Sequence, residues 1–297
     1  MSSWRQGTHK QYGTYINKWK TYCAENDILY PTPKIEQVLD FLSHLFDSGL
    51  SYSALNSARS ALSTFIIVDG KPVGSHPLVV RLLKGVFNTR PSLPKNTVTW
   101  DPQILLDYLR TLSPVRNLNL LDLSVKTVSL LLILTGQRGQ SLHLMDVRNI
   151  TITQNHVKIR FGDLLKTTRP GFHQQELTLK AYAPDRRICI VTVLNEYMRR
   201  TADIRSVDAL FISSRKPYGR VSRDTISRWF KNSMKKAGLD LSVFTPHSVR
   251  AASTSAAARA NIPLGSILGT AGWARENTFR NYYDKPVATH KGFEAYK

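Results

Sequence analysis

The sequence is short of cysteine, of acidic residues and of long apolar stretches, and each shortage excludes something. Only Cys23 and Cys189 occur in 297 residues, far apart and outside any CxxC pattern. This rules against a disulfide scaffold and a thiolate zinc site, and it fits a reducing compartment. The longest apolar run, around residues 128–134, is far too short to span a bilayer. The opening residues, Met1-Ser2-Ser3-Trp4-Arg5-Gln6, lack the apolar stretch of a secretory signal. An intracellular, soluble protein is therefore expected.

Acidic side chains are scarce relative to basic ones: 21 Asp and Glu stand against 41 Lys and Arg, a formal net charge of +20 with a pI near 10.1. A globular core does not require that excess, and self-repulsion disfavours it. The usual compensation is a polyanion, most often nucleic acid bound with release of counterions. A membrane surface is the competing explanation, but the basic residues are spread along the chain and no basic amphipathic anchor stands out. Hydrophobic residues make up 42%, enough at this length to bury a full core without disulfides or metals.

Hydrophobic periodicity predicts a mainly α protein with a small β-hairpin or meander, an α+β fold. Helical spacing runs through Tyr12, Tyr15, Ile16, Trp19 and Tyr22, then Val38 to Leu45, Ala54 to Phe65 and Val79 to Val86. Turn signals such as Asp69-Gly70-Lys71-Pro72 separate these sets. A small all-helical domain is expected over residues 1–90, with Asn56 and Arg59 as candidate groove contacts. The polar, proline-bearing stretch 88–96 marks a linker, placed at residues 91–99, and a second domain fills 100–297. Within it, Ile150, Ile152, Val157, Ile159, Leu177 and Leu179 alternate as strands around the turn Lys166-Thr167-Thr168-Arg169-Pro170-Gly171. Helices are expected again over 190–200 and 222–237.

Four segments could carry chemistry. In Thr245-Pro246-His247-Ser248-Val249-Arg250, Thr245 suits an N-cap and Pro246 the first helical position. His247 and Arg250, three apart, share a face near a helix N-terminus, where an anion is favoured. A buried apolar helix runs through Leu131 to Leu134 into a Thr-Gly turn that delivers Arg138. Lys166 lies in the hairpin turn. Finally Ala271-Gly272-Trp273 precedes a short helix, capped by Asn277 and ended by Pro286, that carries Tyr282 and Tyr283. Taken singly, each reads as readily as a capped helix end, a solvated lysine or a core aromatic.

Together they resemble the tyrosine recombinases of the phage-integrase class. Arg138, Lys166, His247, Arg250, Trp273 and a tyrosine at 282 or 283 follow that family's catalytic order at family-like separations. The boxes LLLILTGQRGQSLHLMDV and TPHSVR…AGW…YY carry the likeness, which spans roughly residues 100–290; the N-terminal helices look like the family's core-binding domain. Within the family, LLKTTRPGFH and AGWARENTFRNYYDKP are most similar to DIRS- and Ngaro-type retrotransposon recombinases, and more loosely to Crypton elements. Two positions depart from many bacterial members: Ser141 stands where an acidic residue follows the first arginine, and Ala251 where a histidine follows the second.

The resemblance implies a site-specific recombinase of a eukaryotic mobile element, nuclear in location, acting on double-stranded DNA as a dimer on one site and a tetramer in synapsis. It implies strand cutting by a tyrosine to give a 3′-phosphotyrosyl bond, with no ATP, metal or other cofactor. Arg138 and Arg250 would clamp the phosphate, His247 would assist the nucleophile, Lys166 would protonate the leaving oxygen, and Trp273 would replace the commoner histidine. The bacterial spacing from Trp273 selects Tyr282 as nucleophile; the retroelement pattern, in which an aromatic precedes it, selects Tyr283, the better match. A type IB topoisomerase and a domesticated, non-catalytic DNA-binding protein are the alternatives.

Overall fold

The computed structural model describes residues 4–30, 32–91 and 97–288. The chain divides into two compact units, Met1–Lys95 and Asn96–Lys297. Most of the linker expected at 91–99 thus lies outside the described residues.

The first unit holds four helices: α1 (Gln6–Glu25), α2 (Ile35–Asp47), α3 (Tyr52–Leu62) and α4 (Pro77–Thr89). Their starts follow local chemistry. The Ser51 hydroxyl accepts from the Ala54 N–H ahead of α3, and Pro77 opens α4 where no amide donor is needed. Trp19, Phe41, Leu55, Leu62 and Ile66 close the core. One difference from the expected all-helical unit appears here. Asp69 and Gly70, both at positive φ, turn a minimal hairpin of β1 (Ile67–Val68) and β2 (Lys71–Pro72), so the unit is not wholly helical. Arg59, a half-buried side chain, is tied within the unit: its Nε donates to the Gly74 carbonyl at 2.6 Å and its Nη1 to Asn56 Oδ1 at 3.3 Å.

The second unit begins with α5 (Pro102–Thr111), capped by Asp101, and is organised around α6 (Leu120–Thr135). That helix is buried on nearly every face from Leu123 to Ile133, the pattern of a helix enclosed by others. After the short α7 (Gly139–His143) comes an antiparallel sheet in the order β3 (Ile150–Ile152), β4 (His156–Ile159), β5 (Leu177–Lys180). Then follow α8 (Ile190–Thr201), α9 (Arg223–Lys236), α10 (Val249–Arg259), α11 (Leu264–Ala271) and α12 (Glu276–Tyr282). Helices α8, α9 and α10 pack on α6. Gly136 ends α6 in the left-handed region (φ 57°), where a Cβ would also meet Thr254 Cγ2 of α10 at 3.1 Å.

Two expected caps are made differently. Thr245 stands at the N-cap of a 3₁₀ turn, Pro246–Ser248, and its side chain caps nothing; the α-helix starts at Val249, so His247 precedes it. Asn277 lies inside α12 rather than at its cap, and α12 ends at Tyr282, four residues before Pro286. The reason is tertiary. The Pro286 carbonyl accepts from the Thr99 N–H at 2.8 Å and the Ala288 N–H donates to the Thr99 carbonyl at 2.7 Å, which holds this segment extended.

Among the described residues one charged side chain is buried away from the site. Lys126 on α6 is fully enclosed, its Nζ donating to the Leu112 carbonyl at 2.6 Å. Burial lowers its pKa from 10.5 to about 8 against the attraction of Asp185. Between those values the unfolded lysine holds a proton that the folded one has released, so stability rises with pH through that window. Relative to Lys126→Met, wild-type unfolding free energy should gain up to about 3 kcal/mol from pH 8 to 10.5 in urea titrations. Parallel pH profiles would show that Lys126 enters the fold without such a shift.

Candidate active site

The carbonyl ends of two helices fix the centre of the site. Arg250, in the first turn of α10, is fully buried; its Nη1 donates to the Gly136 carbonyl at 2.6 Å and its Nη2 to the Ala271 carbonyl at 3.1 Å. It thereby ties the end of α6 to the end of α11. Gly136 also leads directly to Arg138, whose own carbonyl accepts the Ser141 N–H at 2.8 Å and starts α7. The Arg138 guanidinium makes no hydrogen bond or ion pair among the described residues, and it lines an open cleft of about 330 Å³ together with Lys166, His247 and Arg250.

Beyond Ala271, Gly272 turns left-handed at φ 72° and delivers Trp273. The indole packs on Arg250, whose Cζ lies 4.7 Å from the ring centroid, and on Tyr283 at a centroid distance of 4.5 Å. Such a stack suits a guanidinium, which is planar and weakly hydrated. Two buried donors in this layer, Arg250 Nε and Trp273 Nε1, have no hydrogen-bond partner among the described residues.

The two tyrosines part company. Tyr282, the last residue of α12, is 67% exposed. Tyr283 leaves the helix at φ −128° and turns inward, its hydroxyl 3.3 Å from His247 Nε2. Ser255 of α10 holds this exit: its hydroxyl donates to the Tyr283 carbonyl at 2.6 Å and accepts from the Lys285 N–H at 3.0 Å. His247 is held from behind, because the neighbouring Ser248 hydroxyl accepts from Trp100 Nε1 at 2.8 Å and donates to the Thr245 carbonyl at 2.7 Å.

Electrostatically the site is a knot of like charges. Burial, and after it the charge of Arg138, lowers the pKa of Arg250 to about 10, with Tyr283 acting to raise it. Arg138 is also lowered by burial, with Tyr283 opposing. His247 falls below 6.5 through burial and the charges of Arg250, Arg138 and Lys166, so it is neutral at pH 7. An anion in the cleft would relieve all of these repulsions at once. Lys166 itself is solvent-exposed in the turn between β4 and β5.

A family profile described as the phage integrase family matches residues 105–288, more than half of the chain. The chain belongs to that family: it is a tyrosine recombinase. No curated protein matches its sequence. Solved tyrosine recombinases share its fold at low identity. The XerH site-specific recombinase in a post-cleavage complex with palindromic difH substrate is 15% identical with a TM-score of 0.63, covering 92% of this chain and 75% of that one. The Tn1549 transposon integrase in complex with transposon right-end DNA is 15% identical with a TM-score of 0.62, covering 99% and 93%. A lambda integrase tetramer bound to a Holliday junction is 16% identical with a TM-score of 0.55, covering 98% and 75%.

The structure thus gathers Arg138, Lys166, His247 and Arg250 around one cleft in this recombinase, with Tyr283 on His247 and Trp273 behind it. Sequence reasoning missed Ser255, Ser248 and Trp100, and also Arg223 and Asp224, which bring the start of α9 to the cleft wall. Spacing could not have found them, since their partners lie up to 148 residues away.

Ser255→Ala removes two hydrogen bonds at the exit of Tyr283. The unfolding free energy should fall by roughly 1–2 kcal/mol in urea denaturation with an unchanged m-value. A change within the error of extrapolation would mean that this hydroxyl is dispensable to the segment.

Proposed function

We propose that this tyrosine recombinase is a site-specific recombinase of a eukaryotic mobile element, cutting and rejoining double-stranded DNA through a 3′-phosphotyrosyl bond on Tyr283. The observation that carries the reading is the Tyr283 hydroxyl, 3.3 Å from His247 Nε2 at a cleft lined by Arg138, Lys166 and Arg250. A neutral imidazole at that distance can take the phenolic proton as the oxygen attacks phosphorus. The Tyr283 Oη–P bond forms, the P–O5′ bond breaks, and the ammonium of Lys166 gives its proton to the leaving 5′ oxygen. Arg138 and Arg250 hold the non-bridging oxygens, where charge grows in the transition state. Trp273 Nε1 and Arg250 Nε, donors without partners among the described residues, point to further contacts with the same phosphate. Because the phosphotyrosyl bond conserves the energy of the phosphodiester, the 5′ hydroxyl can reverse the attack without ATP.

Duplex DNA as partner is supported by the net charge of +20 and by the DNA in the complexes of the fold relatives. A dimer on one site and a tetramer in synapsis follow by analogy with the lambda integrase tetramer. The mobile-element origin and the nuclear location rest on the retroelement-like motifs AGWARENTFRNYYDKP and LLKTTRPGFH.

The test can select its own target. The protein is incubated in EDTA with a random-sequence library of nicked duplexes, whose short cut strand diffuses away and traps the covalent state. Protein-linked DNA is then recovered under denaturing conditions and sequenced. A shared sequence motif in the adduct, adduct lost in Tyr283→Phe and kept in Tyr282→Phe, is expected; the reverse pattern moves the nucleophile, and no adduct at all overturns the enzymatic reading. Arg138→Ala should cut trapping by roughly 10²–10³-fold.

The pH profile gives a second check. With His247 held below 6.5, kcat/KM for cleavage should lose its base only on an acid limb lying below that value. A limb above 6.5 would assign proton transfer to another group.

A further inference from the structure

Two glutamine amides outside the catalytic set join the parts of the site. Gln137, the buried neighbour of Arg138, donates from Nε2 to the Thr270 carbonyl at 2.6 Å and to Gln174 Oε1 at 3.3 Å. Gln174, which follows the Lys166 turn in the β4–β5 connection, donates from Nε2 to the Gly269 carbonyl at 2.7 Å. The last carbonyls of α11 are therefore each taken by a different arm of the site. Gln174 holds Gly269, Gln137 holds Thr270 and Arg250 holds Ala271. These belong to the last turn, whose carbonyls a helix leaves without i+4 partners; Gly269 also accepts the Gly272 N–H at 3.3 Å. The clasp lies against the turn into Trp273: a Cβ on Gly272 would meet Gln174 Oε1 at 2.4 Å.

Between Lys166 and Gln174 the chain is itself closed by short bonds. The Thr168 hydroxyl accepts the Leu165 N–H at 3.0 Å, the Thr168 N–H donates to the Leu165 carbonyl at 3.0 Å, and Arg169 and Phe172 exchange both backbone bonds. Leu165, next to Lys166, is buried. A displacement at Gln174 thus has little slack to absorb it before it reaches Lys166. The lysine side chain is exposed and makes no hydrogen bond or ion pair among the described residues that would fix its place at the cleft.

We propose that Gln174 is the positioning residue of Lys166: its amide, clasped to Gln137 and the end of α11, sets the turn at the height where the lysine meets the leaving 5′ oxygen. The inference rests on the reading of Lys166 as general acid. Its consequence is that the proton-donating loop and the arginine-bearing loop share one anchor, so the acid is in place only when the phosphate clamp is.

The test separates positioning from folding by changing the leaving group. A trapped target sequence is prepared with an ordinary phosphodiester at the cut site and, separately, with a 5′-bridging phosphorothiolate, whose thiolate leaves without a proton. Gln174→Ala should slow cleavage of the phosphodiester by roughly 10–10²-fold, the scale of a small misplacement. It should cut the phosphorothiolate at close to the wild-type rate. Lys166→Ala, run alongside, should lose roughly 10²–10⁴-fold on the phosphodiester and be rescued in the same way. Equal losses on both substrates for Gln174→Ala, or no loss on either, overturn the clasp. Failure of the thiolate to rescue Lys166→Ala overturns the acid assignment instead, and the clasp with it as a device for the acid.

A measurement without DNA tells these failures apart. Amide exchange in Gln174→Ala should quicken across residues 163–173 while α6 and α10 keep their protection. Unchanged exchange in the loop would show that Gln174 holds nothing there, whatever Lys166 does.

Discussion

A guanidinium buried without a carboxylate partner is the constraint on which the site depends. Arg250 makes no ion pair among the described residues; it is satisfied by the carbonyls of Gly136 and Ala271 and by the faces of Trp273 and Tyr283. Carbonyl dipoles and π-faces favour the cation without neutralising it. The charge therefore remains available to an anion, which a carboxylate would have competed away. Its placement also decides the rest. Gly136 leads to Arg138, Ala271 leads through Gly272 to Trp273, and Trp273 is the surface against which Tyr283 packs.

The same logic explains why the neighbourhood tolerates such crowding of cations. Arg138 lowers the affinity of Arg250 for its proton, and Arg250, Arg138 and Lys166 together lower that of His247. The imidazole is kept from protonating first by its burial and then by the charges of Arg250, Arg138 and Lys166. One electrostatic arrangement thus both favours an anion in the cleft and disfavours a proton on the histidine.

Much of this was legible in the sequence. Periodic apolar positions marked α1 to α4, the alternation through Ile150 to Leu179 marked the meander, and six ordered residues marked side chains that the fold brings together. What failed was local capping logic where tertiary bonds intervened. Thr245 and Asn277 have the side chains of good caps, yet the first stands at a 3₁₀ turn anchored through Trp100 and Ser248, and the second lies within a helix. The hairpin at Asp69-Gly70 was read only as a turn, because strands of two residues carry no periodicity. The supporting residues, Ser255, Gln137 and Gln174, were silent for a different reason. Each acts by bonding main-chain carbonyls distant in sequence, and a carbonyl is the same in every residue.

That anonymity reaches furthest at Thr99. The chain after Tyr283 is stitched to it by two main-chain bonds, through the Pro286 carbonyl and the Ala288 N–H. Such a stitch survives nearly any change of side chain and is broken only by proline at the donating positions. Relatives could therefore differ freely at exposed positions such as Thr97 and Ala288 while keeping the path of the chain behind Tyr283. The geometry is inherited by the backbone, where drift in sequence leaves no trace of what is being preserved.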